Sequence, residues 1–130
     1  MDTDDQRIFA GLHILLVEDE PIIAMALAED VEATGAHVIG PVDRVERALD
    51  LIDIRHPDAA ILDIGLVGET CFPVADLLLA RKTPFVFTSG YDARLIPAAY
   101  LKAPIVMKPA SPADVIAALA AEYRVRKRRP

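Results

Sequence analysis

The chain holds a single cysteine, Cys71, so it forms no intramolecular disulfide and builds no cysteine-based zinc site. Cys71 reads as a small packing residue. No uncharged apolar run approaches the ~20 residues that span a bilayer, and the acidic start Met1-Asp2-Thr3-Asp4-Asp5-Gln6-Arg7 is unlike a secretory signal, which is basic and then apolar. A soluble, cytoplasmic protein with no membrane contact is expected. Clustered positive charge is scarce: 14 Lys and Arg stand against 20 Asp and Glu, a formal net charge of −6. That balance argues against a broad phosphate-neutralising face for nucleic acid. The one basic run, Arg124-Val125-Arg126-Lys127-Arg128-Arg129, reads as a solvated helix end whose cations suit the C-terminal dipole. There is no nucleotide P-loop, internal repeat, low-complexity stretch or interdomain linker.

What is present is apolar material. With 130 residues, 53% hydrophobic and 26% charged, the chain has the stock for one domain with one buried core. Five short apolar runs alternate with helical patterns, the sequence form of a parallel sheet wrapped by helices. The runs are Leu12 to Val17, His37 to Gly40, Ala59 to Leu62, Phe85 to Thr88 and Ile105 to Met107. Pro21 opens a helix with Ile23, Leu27 and Val31 on one face, and Gly35 stops it. Asp43 is placed to cap the next helix, in which Val45, Ala48, Leu49 and Ile52 recur at helical spacing before His56-Pro57 ends it. A third helix is predicted from about Pro73 to Lys82. The stretch from Gly90 to Tyr100 carries Pro97, so any helix there is short or broken. Ser111-Pro112 is an N-cap followed by proline, launching a last helix through Val115, Ile116, Leu119 and Tyr123. The expected division is an N-terminal extension at 1–11, one domain at 12–123 and a basic tail at 124–130. No output domain is expected after the last helix.

The polar residues that interrupt this pattern fall at carboxyl ends of strands. Glu18, Asp19 and Glu20 follow the first, Asp63 ends the third, Ser89 follows the fourth and Lys108 ends the fifth. That edge is where ligands bind in open α/β sheets. In the 2-1-3-4-5 strand order, strands one and three are neighbours, which brings Glu18 and Asp19 to Asp63. Carboxylates gathered at one place repel, and a divalent cation is the simplest way to keep them ionised together. Only oxygen ligands are on offer, so Mg²⁺ fits better than zinc or copper. A lysine and a hydroxyl add donors for phosphate oxygens, and an aspartate can attack phosphorus to form an aspartyl phosphate. The combination reads as phosphoryl transfer onto Asp63.

Four blocks, Ile14-Leu15-Leu16-Val17-Glu18-Asp19-Glu20, Ile61-Leu62-Asp63-Ile64, Pro84-Phe85-Val86-Phe87-Thr88-Ser89-Gly90-Tyr91 and Met107-Lys108-Pro109, resemble in order the signature blocks of two-component response-regulator receiver domains. The resemblance runs over about residues 12 to 122. It implies a flavodoxin-like (βα)5 fold with a five-stranded parallel sheet in the order 2-1-3-4-5. It also implies that Glu18 and Asp19 hold Mg²⁺, that Asp63 is the phosphoacceptor, and that the backbone carbonyl of Gly65 completes the metal shell. Lys108 matches the lysine that contacts the phosphoryl group, with a cis bond to Pro109. Thr88 and Ser89 compete for the switch hydroxyl. Counting five positions from Pro84 selects Ser89, leaves Gly90 as the small residue beside the phosphate, and has strand alternation turn Thr88 the other way. The implied partners are a histidine kinase or phosphotransfer protein and an unidentified downstream protein.

The blocks Leu66-Val67-Gly68-Glu69, Phe72-Pro73-Val74-Ala75-Asp76 and Pro84 to Tyr91 look like the stand-alone receivers with a Phe-Ala-Thr-Gly-Tyr type motif, associated with HWE or HisKA2 histidine kinases. Two positions depart from the common receiver pattern: Ile105 stands where many receivers carry Tyr or Phe, and Ala110 where Phe is common. Tyr91 is then the nearest aromatic candidate for a switch reporter. Taken singly, the residues have structural readings. The acids at 18–20 suit a helix N-terminus, Asp63 could cap a turn, and Lys108 could be a surface charge. His13, His37 and His56 share no ligand spacing. A haloacid-dehalogenase-type phosphatase needs a second acid where Gly65 stands, and a flavodoxin-like cofactor binder would not put three acids at its phosphate loop. A degenerate receiver, used as a phosphorylation-independent binding module, would lose a metal acid, the acceptor or the lysine, and none is lost. The expected role is a signalling phosphoacceptor that catalyses only its own phosphorylation and dephosphorylation, passing its signal by docking or acting as a phosphate sink.

Overall fold

A computed structural model describes residues 8–90, 94 and 96–128. In chain order the elements are β1 (His13–Val17), α1 (Pro21–Ala33), β2 (His37–Val42), α2 (Val45–Arg55), β3 (Ala59–Asp63), β4 (Gly65–Leu66), β5 (Glu69–Thr70), α3 (Phe72–Ala80), β6 (Phe85–Ser89), a 3₁₀ turn (Ala98–Tyr100), β7 (Ile105–Met107) and α4 (Pro112–Arg128). Five strands form one sheet in the order β2-β1-β3-β6-β7, and all four pairings are parallel. Counted along the chain without the small β4–β5 hairpin, this is the 2-1-3-4-5 order of the flavodoxin-like receiver fold.

Helices cover both faces, so the central strands are apolar on both sides. Every residue of β3 and β6 is buried. Alternation splits the core in two. Leu15, Val17, Ala60, Leu62, Phe85 and Phe87 face α2 and α3, whereas Ile14, Leu16, Ala59, Ile61 and Val86 face α1 and α4. Each Val, Leu, Ile or Phe among them contributes about 1.5–3 kcal/mol by leaving water, and truncating a central one such as Leu62 to Ala would cost about 2–5 kcal/mol.

The helix signals act as their chemistry requires, with one exception. Pro21 takes the first turn of α1, and Gly35, at φ +92°, supplies the left-handed residue after its end. Asp114 N–H donates to Ser111 Oγ at 3.1 Å at the start of α4. The cap expected from Asp43 is not made. Arg44 is the N-cap of α2, without a side-chain bond of its own, and the N–H of Val45 donates instead to Glu69 Oε2 at 3.0 Å. Residues 64–70, predicted as a loop, contain the antiparallel hairpin of β4 and β5. Phe9, within the stretch expected as an extension, is fully buried, with its ring 6.0 Å from that of Tyr123 on α4. No helix among the described residues is long and apolar enough to cross a membrane.

Candidate functional site

Parallel strands deliver their carboxyl ends to one edge, and the polar residues that end the apolar runs collect there. Glu18 and Asp19 follow β1, Asp63 is the last residue of β3, and Lys108 follows β7. Glu18 and Asp63 are each 3% exposed, and Asp19 is half-buried. One carboxylate oxygen from each of the three lies within 4.8 Å of the others. The ammonium of Lys108 joins this group, 2.9 Å from Glu18 Oε1 and 3.1 Å from Asp63 Oδ2. Backbone donors steady the acids. Glu20 N–H donates to Glu18 Oε2 at 3.1 Å, and Gly65 N–H to Asp63 Oδ1 at 3.3 Å. The Lys108-Pro109 bond is cis.

The electrostatics are those of a site short of positive charge, with three carboxylates against one ammonium. Burial pushes the Asp63 carboxyl up to about 7, Glu18 adds to the rise through its hydrogen bond and its charge, and Lys108 opposes it. Burial works against the charge on Lys108, but its contacts with Glu18 and Asp63 outweigh this and hold its pKa above the ordinary lysine value. A donor set made only of oxygen, held at this spacing, fits a hard divalent cation such as Mg²⁺.

The structure places Glu18, Asp19, Asp63 and Lys108 together as the sequence predicts. Gly65 begins β4, two residues past Asp63. Ser89 closes β6, fully buried, and its carbonyl accepts the N–H of Lys108 at 2.7 Å. Gly90 is exposed, and a Cβ built on it would meet nothing within 4 Å. Tyr91 lies outside the described residues. Thr88 corrects the reading of alternation. Counted from Val86, which faces α1 and α4, it is Thr88 that shares the face of Asp63, while Ser89 falls in phase with Phe85 and Phe87. Thr88 lines a cavity of about 570 Å³ together with Glu18, Gly90, Lys108 and Pro109. Sequence reasoning weighed this residue against Ser89 and turned it away from the site, since alternation within one strand does not tell which face the neighbouring acceptor strand shares. It passed over Glu69, whose partner is distant in the chain.

Comparison with known proteins identifies the family and the fold. No family model matches the chain. SdrG from Sphingomonas melonis Fr1 is 37% identical, with a TM-score of 0.71 over 92% of this chain and 98% of that one. The chain belongs to the response-regulator receiver domains. The response regulator PhyR from Brucella abortus superposes with a TM-score of 0.80 at 26% identity, covering 95% of this chain and 52% of that one. The phyllosphere-induced regulator PhyR of Methylorubrum extorquens is 33% identical over 111 residues, which are 82% of this chain and 42% of that protein. The receiver thus spans less than half the length of that curated relative. Its relatives are signalling response regulators of two-component systems.

Proposed function

We propose that this receiver accepts a phosphoryl group from a phosphohistidine onto Asp63 in a Mg²⁺-dependent reaction, in the cytoplasm. The observation that carries the reading is the convergence, at one sheet edge, of three carboxylates within 4.8 Å with the Lys108 ammonium 3.1 Å from Asp63. Glu18, Asp19 and Asp63, with the carbonyl of Gly65, would hold the cation, which when bound supplies positive charge to the phosphoryl oxygens. The chain's own residues do the rest. An Asp63 carboxylate oxygen forms the new bond to phosphorus as the phosphorus–nitrogen bond breaks, and the imidazole leaves with the electron pair. Lys108 neutralises charge on the transferred oxygens, Ser89 supplies the hydroxyl that follows the phosphoryl group, and Gly90 leaves room beside it. Catalysis is positioning and electrostatics.

The motif from Pro84 to Tyr91 supports an HWE or HisKA2 histidine kinase as donor. The signal then passes by docking to another protein, or the domain serves as a phosphate sink. SdrG is known in a BeF₃-activated conformation, which suggests the probe. With Mg²⁺ and beryllofluoride the wild type should show NMR shifts around Asp63 and Lys108, and with acetyl phosphate it should gain the mass of one phosphoryl group. Asp63→Asn should do neither, and a variant that responds like wild type would overturn the assignment. Phosphotransfer from a panel of kinases identifies the donor.

A further inference from the structure

On β6, Thr88 is in register with Asp63 of β3 on one side and with Val106 of β7 on the other. Lys108 lies two residues beyond Val106, so alternation returns it to the same face. Thr88 therefore stands between the acceptor strand and the lysine strand, on the wall of the cavity that Glu18 and Lys108 also line. It is 3% exposed, and among the described residues its Oγ1 is buried without a hydrogen-bond partner. A buried hydroxyl left unpaired carries its full desolvation cost, which a valine of the same shape would avoid. A partner gained in another state of the site would remove that cost.

Lys108 indicates which state. An ammonium has three donors, and here it is held by Glu18 Oε1 and Asp63 Oδ2. Glu18 is also one of the carboxylates suited to a cation, so once its carboxylate turns to metal the lysine loses a partner. Thr88 Oγ1 has lone pairs to replace it, from a β-branched side chain that loses little freedom in doing so. We propose that Thr88 is a positioning residue: in the metal-loaded, phosphorylated site its Oγ1 accepts a hydrogen bond from the Lys108 ammonium and holds the lysine over the phosphoryl oxygens. This rests on the phosphoacceptor reading of Asp63.

The test compares wild type with Thr88→Val, which removes the hydroxyl at nearly constant volume, and Thr88→Ser, which keeps it. In EDTA, Thr88→Val should melt at or above the wild-type temperature, by roughly 3 °C. With Mg²⁺ and beryllofluoride its rise in melting temperature should be clearly smaller than that of wild type, and Thr88→Ser should restore the rise. Acetyl phosphate should phosphorylate Thr88→Val about tenfold more slowly, the loss of one hydrogen bond to a charged group. A Thr88→Val protein that melts below wild type in EDTA, or that gains as much from beryllofluoride, overturns this inference alone. A wild type that gains nothing overturns the phosphoacceptor reading, and this inference with it.

Discussion

The carboxylate of Glu69 accepts the backbone N–H of Val45 at 3.0 Å across 24 residues of chain. Val45 is the first residue of α2, so an acid from the hairpin supplies both the missing cap and a negative charge at the positive end of the helix dipole. The hairpin begins at Gly65, whose N–H donates to Asp63. One contact thus ties the acceptor loop to α2. Glu69→Ala should lower stability by about 1 kcal/mol, while Asp43→Ala should change it by less than about 0.5 kcal/mol. Urea denaturation reads both, and a larger loss at Asp43 would restore the cap that the sequence suggests.

The raised pKa of Asp63 predicts a pH dependence for the metal-free protein. The group lies at 3.8 when unperturbed and at about 7 in the fold, so between these values the folded chain keeps a proton that the unfolded chain has lost. Stability falls with rising pH wherever the folded state binds more protons. The contribution of Asp63 therefore declines from about pH 4 to pH 7 and is fully unfavourable above that. In EDTA, the wild type should lose more stability between pH 5 and pH 7.5 than Asp63→Asn does, and millimolar Mg²⁺ should shrink the difference. Equal losses in the two proteins would show that Asp63 ionises normally.

Asp19 is half-buried at the rim of the same site, and its charge is useful there only if a cation shares it. In EDTA, Asp19→Asn relieves repulsion and should not lower the melting temperature. With Mg²⁺ at ten times its dissociation constant, the wild type should gain about 1.4 kcal/mol, and the variant should gain almost nothing. An undiminished gain in Asp19→Asn would remove this residue from the metal set.

Much of the fold is legible because short, continuous apolar runs alternate with helical segments that carry their own start and stop signals. The apolar runs ending at Val17, Leu62 and Thr88 fix three parallel strands, and the acids and lysine that interrupt the pattern mark the edge where the chemistry sits. Pro21, Gly35 and Ser111 are local signals, and each acts locally. Apart from the local β4–β5 hairpin, the misses share a cause: the deciding partners are remote in sequence. Glu69 caps a helix that starts 24 residues earlier, and nothing near Asp43 reveals that its own cap is replaced. Phe9 becomes core only because α4, more than a hundred residues on, brings Tyr123 against it. Thr88 was misread because only the burial of Ile61 and Val86 against α1 and α4 tells which face Asp63 shares.

The switch is the remaining question, and the aromatic absent at Ile105 has a counterpart in the preceding loop. Tyr100, at the end of the 3₁₀ turn, stacks on Phe72 with ring centroids 4.3 Å apart and donates its hydroxyl to Asp76 Oδ1 at 2.7 Å. Its ring also meets the edge of Phe87 on β6, and Ile105 packs against the same core. The hydrogen bond to Asp76, with burial and the nearby charge, pushes the Tyr100 phenol up to about 12. If Ser89 moves toward a phosphoryl group, the segment from Gly90 to Tyr100 is the chain it pulls on. Gly90 and Pro97 are poor helix formers, and Ala98–Tyr100 form a single 3₁₀ turn after Pro97. Beryllofluoride should therefore change amide exchange across 90–100 and loosen Tyr100 from Asp76, lowering its phenol toward 10 in an ultraviolet titration. Asp76→Ala should produce the same lowering without beryllofluoride. Changes confined to residues near Ile105, with Tyr100 and its neighbours silent, would reject this route while leaving phosphorylation of Asp63 untouched.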